Sequence, residues 1–267
     1  MGKLAGIGKI DRQRMAAIIR GTKGTISVND AAKIMNVEST DAAKMLSKWS
    51  KKGWMSRIKR GLYISVPLES KSSDVSIEDP WLITDRIFAP CYIGGFSAAE
   101  YFDLTEQVFS TIVVMTTKKP RNRQPVINNT KFLLRSVPEK AMFGFKPVWR
   151  GQVKIYVSDS SRTILDMLMD PSLGGGIRSV KDMFINYLKT DNKDLDQLIK
   201  YGDQLGNGSV FKRLGFLLEK TAPDETKALG KCQSRLTKGN AKFDPKLNNN
   251  KLITRWRLLV PENWKEK

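Results

Sequence analysis

Cationic side chains recur between residues 39 and 64 at spacings that could gather them on one surface. This stretch holds seven Lys and Arg and one acid, Asp41. Four polar residues of this stretch follow one another at spacings of four, three and four, so a helix would carry them on one face. They are Thr40, Lys44, Ser47 and Lys51. Ammonium and hydroxyl groups in this pattern can bind phosphates and base edges, and they indicate binding rather than catalysis.

The apolar residues of the same stretch predict the opposite, buried face of that helix. They recur at spacings of three and four residues: Ala42, Met45, Leu46 and Trp49. We expect Ser39 or Thr40 to cap the helix and Gly53 to end it. The alternative is a solvated helix, but such helices usually mix acids with cations, and acids are scarce here. A polyanionic partner is therefore the favoured interpretation.

A basic β-hairpin is predicted directly after this helix. The runs WMSRI (54–58) and LYISV (62–66) flank a turn that contains Gly61. Arg57, Lys59 and Arg60 should cluster at its tip, where they suit phosphate or the minor groove. Trp54 is expected in the core.

The elements upstream complete a winged helix-turn-helix pattern. Residues 9–20 and 30–36 have amphipathic helical periodicity, and Ser27 or Asn29 is the expected cap of the second helix. Helix, helix, turn, helix and hairpin is the winged order, and a helix in the major groove beside a basic hairpin is a known docking geometry. The predicted DNA-binding residues are Ser39, Thr40, Lys44, Ser47, Lys48, Lys51, Lys52, Arg57, Lys59 and Arg60. Of these, Thr40, Lys44, Ser47 and Lys48 are assigned to base edges and the later cations to phosphate or the minor groove.

The rest of the chain predicts a larger mixed domain. Strand-like runs come mostly first (91–95, 110–117, 130–137 and 153–158), and helical runs mostly follow (97–104, 160–170, 176–189, 193–205 and 209–220). This order predicts an α+β fold: a winged helix-turn-helix domain at 1–67, a linker at 68–80, and a mixed α/β domain at 81–267.

Composition narrows the classes of function. The 267 residues carry a net charge of +19, which favours anionic partners and above all nucleic acid. Residues 1–70 hold 14 Lys and Arg against 5 acids, whereas residues 71–267 hold 32 against 22, so the first quarter carries nearly half the excess. No histidine is present, which excludes histidine-based nucleophile systems and HExxH zinc sites.

The cysteines and the apolar runs add further expectations. Cys91 and Cys232 lie too far apart in sequence for a CxxC pair, and they are expected to be buried thiols. We predict no metal, no cofactor and no membrane span, and expect a cytoplasmic protein.

Two other basic segments have open interpretations. Lys118, Lys119, Arg121 and Arg123 form either a solvated loop or a second basic surface for DNA or an acidic partner. In residues 227–257 cations far outnumber acids. This segment is either a stacking surface for single strands, with Phe243 and Trp256 interleaved, or an edge strand with Arg255 and Arg257 turned to solvent.

Acidic residues and glycines between 159 and 176 are the other candidates for chemistry. Arg162 and Asp166 are four apart, which suits a structural salt bridge on a helix. The alternative is a metal-dependent nucleic-acid enzyme that uses carboxylates such as Asp159, Asp166 and Asp170. The glycines at 174–176 suit a turn better than a phosphate site, because the Lys-Ser/Thr of a P-loop is missing.

Several motifs resemble the AbiE-type antitoxins of bacterial type IV toxin–antitoxin systems. The winged pattern ends in Lys52-Gly53-Trp54 and Arg60-Gly61-Leu62-Tyr63. YIGGFSAAEYFDLTEQVFSTIVVMT (92–116), SSRTILDMLMDPSLGGGI (160–177) and RLGFLLE (213–219) resemble later segments of that family. The resemblance spans roughly residues 12–220, with Asp103 where glycine is expected.

The resemblance implies a function in abortive infection, a phage defence. The N-terminal domain would bind inverted repeats in its own promoter and repress the operon, becoming nucleoid-associated on DNA. The C-terminal domain would carry antitoxin activity against a nucleotidyltransferase-like toxin, acting on it directly or functionally. A winged-helix transcription factor with an effector-binding second domain is the alternative.

Overall fold

The computed structural model describes residues 6–66, 79–151, 153–262 and 264. Two compact units divide the chain. The first unit consists of the described parts of Met1–Ala89, Arg121–Leu133 and Val148–Ile155. The second consists of those of Pro90–Pro120, Leu134–Pro147 and Tyr156–Lys267. Residues 68–78 of the predicted linker lie outside the described residues, and the predicted domain boundaries stay a prediction.

The N-terminal elements follow the winged helix-turn-helix order. They are α1 (Lys9–Gly21), β1 (Ile26–Ser27), α2 (Val28–Met35), α3 (Ser39–Lys51), β2 (Met55–Lys59) and β3 (Leu62–Ser65). β3 lies between β1 and β2 and is antiparallel to both. The three helices and the hairpin were predicted, whereas the two-residue β1 was not.

The apolar face of α3 packs into the core of this domain. Ala42, Leu46 and Trp49 have no solvent exposure, and Met45 is half-buried beside them. Met55 and Trp54 complete the contact from the hairpin side. The predicted inward face of the helix is therefore confirmed.

The helix caps were predicted with mixed success. Ser27 caps α2 in a reciprocal capping box with Asp30, as one of the two predicted alternatives required. The predicted cap of α3 by Ser39 or Thr40 is wrong, because the N-cap is Glu38 and its side chain makes no capping hydrogen bond. Ser39 and Thr40 instead lie exposed in the first turn.

A six-stranded sheet follows in the chain. Its elements and the helices between them are α4 (Thr84–Phe88), β4 (Cys91–Ile93), α5 (Gly95–Tyr101), β5 (Thr111–Thr116), β6 (Val126–Ile127), β7 (Thr130–Ser136), β8 (Phe145–Arg150) and β9 (Val153–Ser158). The strand order is β6-β7-β5-β4-β9-β8. β4 is antiparallel to β5 and parallel to β9.

Helices dominate the remainder, which confirms the predicted α+β class. They are α6 (Ser160–Met169), α7 (Ile177–Lys189), α8 (Leu195–Leu205), α9 (Gly208–Thr221) and α10 (Thr226–Gln233). A small sheet closes the described chain, with β12 (Leu258–Val260) between β10 (Ala241–Lys242) and β11 (Lys251–Ile253).

For residues 227–257 the stacking prediction is wrong, whereas the exposure predicted for Arg255 and Arg257 is confirmed. A turn of 3-10 helix at Thr254–Trp256 interrupts the expected edge strand, and β11 and β12 pair with each other on either side of it. Phe243 and Trp256 have no solvent exposure, so they cannot stack on a nucleic acid. The Trp256 indole N–H donates to Glu219 at 2.8 Å, which satisfies its polar edge inside the protein.

Candidate nucleic-acid interface

Seven of the ten predicted DNA-binding residues lie on α3 or at its C-cap, and five of them line one surface depression. Ser39, Thr40, Lys44, Lys48 and Lys51 are exposed, and Ser47 and Lys52 are half-buried. This shallow depression on the outer face of α3 is lined by Ala43, Lys44, Ser47, Lys48, Lys51 and Lys52. The buried Trp49 side holds the helix, so these polar groups project together from a fixed backbone.

Few of the described side chains neutralise this face. Lys44 Nζ lies 3.0 Å from Asp41 Oδ1, but both side chains are largely exposed, so the pair is weak and easily exchanged. Lys52 lies over the Trp54 ring at 4.6 Å from its centroid. Lys48 and Lys51 have no ion-pair partner among the described residues, so their charge is available to an anion.

The wing, residues 55–65, presents two further cations. Arg57 and Arg60 are exposed near its turn, where Gly61 has a φ of 77° that disfavours other residues. Lys59 is held differently, because its Nζ donates to the backbone oxygen of Arg86 at 2.8 Å. The sequence contained no local signal for this contact.

The predicted second basic surface is divided between the two units. All four of its cations are exposed: Lys118, Lys119, Arg121 and Arg123. Lys118 and Lys119 belong to the second unit, whereas Arg121 and Arg123 belong to the first, which also contains the winged domain.

Comparison with known proteins identifies the winged segment. Residues 13–66 match the family of AbiEi antitoxin transcriptional regulators. The match covers 54 of the 267 residues and confirms the predicted resemblance over this AbiEi-type domain. No curated protein matches the chain.

A solved structure with a similar fold covers nearly the whole chain. The crystal structure of the RV2827C protein from Mycobacterium tuberculosis superposes with a TM-score of 0.65, covering 97% of this chain and 94% of that one. Sequence identity is 13%, so this likeness concerns the fold alone.

The three carboxylates considered for catalysis are engaged in structural contacts. Arg162 and Asp166 are fully buried and form an ion pair of 2.9 Å between Nε and Oδ1. Tyr92 OH donates to Asp166 Oδ2 at 3.0 Å and accepts from Arg162 Nη2 at 2.7 Å. Burial raises the pKa of Asp166 above its usual value and that of Tyr92 well above its own. The favoured structural role of the pair agrees with this geometry.

Asp159 and Asp170 are not poised as metal ligands either. Asp159 caps α6 through the Arg162 backbone N–H at 2.8 Å and accepts from Tyr201 OH at 2.8 Å. Asp170 accepts from the Ser172 backbone N–H at 3.1 Å and lies 3.3 Å from Arg135. Within the described ranges, no three acids or cysteines are grouped as metal ligands.

The helix N-terminus after Gly176 is filled by the protein itself. Asp244, which is 3% exposed, accepts a hydrogen bond from the Ile177 backbone N–H at 3.0 Å. This carboxylate takes the position that an anion would occupy at the positive end of α7. The turn interpretation of residues 174–176 is thus the one that fits.

One cavity of the second unit is small for a ligand pocket. A cavity of about 180 Å³ is lined by Ile185, Phe216 and Trp264 with Lys181 and Lys220, which is small beside the roughly 300–1,000 Å³ of typical ligand pockets. Cys91 and Cys232 are buried free thiols, as predicted. Among the described helices none has the length and apolarity needed to cross a bilayer.

Proposed function

We propose that this protein is a DNA-binding antitoxin that represses its own operon. The observation that carries the proposal is the acid-poor outer face of α3, fixed by a buried Trp49 side in an AbiEi-type domain. An α-helix fits the major groove of B-DNA, where side chains read the base edges. Thr40, Lys44, Ser47 and Lys48 would perform that task.

The other cations would anchor the complex rather than read sequence. Lys51, Lys52, Arg57 and Arg60 flank the reading face and would contact phosphates, which position a protein on the duplex without specifying bases. Lys59 is committed to Arg86 and would act mainly by holding the wing. A pair of such domains would suit inverted repeats in the promoter.

The second unit would carry the antitoxin activity in the bacterial cytoplasm. The partner would be a nucleotidyltransferase-like toxin encoded beside this gene, neutralised by contact or through a shared target. The structural use of Asp159, Asp166 and Asp170 favours this function over the metal-dependent enzyme.

Titration of labelled upstream DNA tests the DNA-binding half. The protein should prefer the inverted repeat over a scrambled duplex, and its affinity should fall steeply as salt rises. Lys44→Glu with Lys48→Glu should abolish the preference. Lys189→Glu with Lys200→Glu changes the charge equally on exposed positions of α7 and α8 and should leave binding near the wild-type level. Equal affinity for both duplexes would overturn the proposal.

Co-expression with the neighbouring toxin tests the other half. The wild-type chain should restore growth, and Lys44→Glu with Lys48→Glu should still do so if the second unit acts independently. A failure of the wild-type chain to restore growth would remove the antitoxin function and leave a plain repressor.

A further inference from the structure

A hairpin from the middle of the chain belongs to the same compact unit as the AbiEi-type domain. This buttress hairpin, residues 126–133, consists of β6, a two-residue turn and the start of β7. Val126 pairs with Lys131 and Ile127 with Thr130. Asn128 and Asn129 form the turn with φ values of 44° and 62°, which asparagine tolerates better than most residues.

The buttress hairpin contacts the outer face of the wing. Asn128 Nδ2 donates to Ser56 Oγ at 2.9 Å across 72 residues of sequence. Ser56 alternates with Met55 and Arg57 along β2, and Met55 is fully buried in the core. Ser56 therefore faces away from the helices, and the hairpin covers the side of the wing that the core leaves open.

A second contact route closes around the wing. Phe132 in the buttress hairpin packs against Phe88 at the end of α4, with ring centroids 5.4 Å apart. α4 also contains Arg86, whose carbonyl oxygen accepts from Lys59. The wing is thus tied at Ser56 and at Lys59 to two elements that are themselves packed together. Such a closed set of contacts restricts the wing more than either contact alone.

The same segment carries unneutralised positive charge. Residues 121–131 contain Arg121, Arg123 and Lys131 and no acid. All three are exposed and have no ion-pair partner among the described residues. Lys131 pairs with the exposed Val126 across the hairpin. Val126 lies two residues before Asn128, the turn residue that donates to Ser56.

We infer that the buttress hairpin with its leading segment, residues 121–133, is a second DNA-backbone element. Arg121, Arg123 and Lys131 contact phosphates beyond those reached by the wing, and Asn128 positions the wing. This inference rests on the proposed function, because it extends the footprint of the same domain. It separates Arg121 and Arg123, which serve DNA, from Lys118 and Lys119 of the second unit.

Salt dependence distinguishes this element from a solvated loop. Each phosphate contact contributes about 0.9 to the slope of log affinity against log salt. The triple substitution Arg121→Ala, Arg123→Ala and Lys131→Ala should therefore reduce the slope on the operator by about 2.7, with base preference unchanged. Lys189→Ala with Lys200→Ala is the control and should leave the slope at its wild-type value. An unchanged slope in the triple variant overturns the inference.

The positioning role of Asn128 has its own matched control. Asn128→Gly keeps the left-handed backbone but removes the donor to Ser56, whereas Asn129→Gly makes the same change beside it. Asn128→Gly and Ser56→Ala should each weaken operator binding and speed amide exchange in residues 55–65, while Asn129→Gly should do neither. In the double variant the effects of Asn128→Gly and Ser56→Ala should not add, because both remove the same hydrogen bond. Additive effects, or equal effects of the two glycine variants, would remove this role.

The two proposals fail in different ways. If Lys44→Glu with Lys48→Glu leaves operator binding intact, the proposed function is overturned. If that variant loses binding while the triple variant keeps the full salt slope, only the second DNA element is overturned.

Discussion

Removal of the Asp166 carboxylate should cost the second unit a large part of its stability. Asp166 and Arg162 have no solvent exposure, and Nε and Oδ1 are 2.9 Å apart. In Asp166→Ala the guanidinium stays buried with only Tyr92 OH and the Phe143 carbonyl as acceptors. Breaking a buried pair in this way costs about 3–5 kcal/mol, because one charge is left uncompensated in a medium that solvates it poorly.

Urea unfolding followed by circular dichroism measures this loss. Asp166→Asn retains an acceptor for Arg162 and should lose less. Arg162→Met with Asp166→Leu removes both charges and should be more stable than Asp166→Ala, since no ion is left unpaired. Asp196→Ala breaks the exposed pair with Lys231 and should hardly move the midpoint. If Asp166→Ala unfolds at the same urea concentration as Asp196→Ala, the buried pair does not hold this unit together.

Three further substitutions test other parts of the fold. Ser27→Ala removes the capping box with Asp30 and should lower the unfolding free energy by about 1 kcal/mol. An unchanged unfolding free energy would show that the cap does not form in solution. Gly215→Ala should lower the unfolding free energy by about 1–3 kcal/mol, because the added Cβ would overlap the buried Trp256 ring. An unchanged urea midpoint would contradict that packing. Burial raises the pKa of the Cys232 thiol from 9.0 to about 12, so the neutral thiol stabilises the folded state below pH 9 and this stabilisation is lost as the pH rises towards 12. Between these two pH values the unfolding free energy of Cys232→Ala should therefore fall by about 4 kcal/mol less than that of the wild type. Parallel curves of unfolding free energy against pH for the two proteins would contradict this.

Local periodicity predicted the elements that hold the recognition face. Leu46 and Trp49 recur with helical spacing, and both are fully buried on the inner side of α3. The strands and helices with continuous apolar runs were also predicted within a few residues. β8 was missed because its sequence, FKPVWR, mixes a proline and two cations with its apolar residues and leaves Trp149 exposed. α4 and α10 are short, with five and eight residues, and give little periodic signal.

Contacts between distant residues could not be predicted in the same way. The Asn128–Ser56 and Lys59–Arg86 hydrogen bonds join residues 72 and 27 positions apart, and Asp244 reaches Ile177 across 67. Spacing along the chain carries no information on such pairs. The family resemblance leads one to expect glycine at position 103, where this chain has aspartate. The backbone at Asp103 has a φ of 54°, a left-handed conformation that favours glycine.

The two parts of the chain have similar net charge but use their charges differently. Between residues 135 and 255 most ion pairs join a cation to an acid of the same unit: Arg135–Asp170, Arg162–Asp166, Lys193–Glu225, Lys231–Asp196, Arg235–Asp203 and Arg255–Glu219. Among the described residues 6–66 the one ion pair is the exposed Lys44–Asp41. Six acids of the second part are therefore paired with cations of the same unit, whereas Lys48, Lys51, Arg121, Arg123 and Lys131 have no ion-pair partner among the described residues. Since uncompensated charge attracts a polyanion over about 8 Å at physiological salt, the field that guides DNA should originate from the first unit.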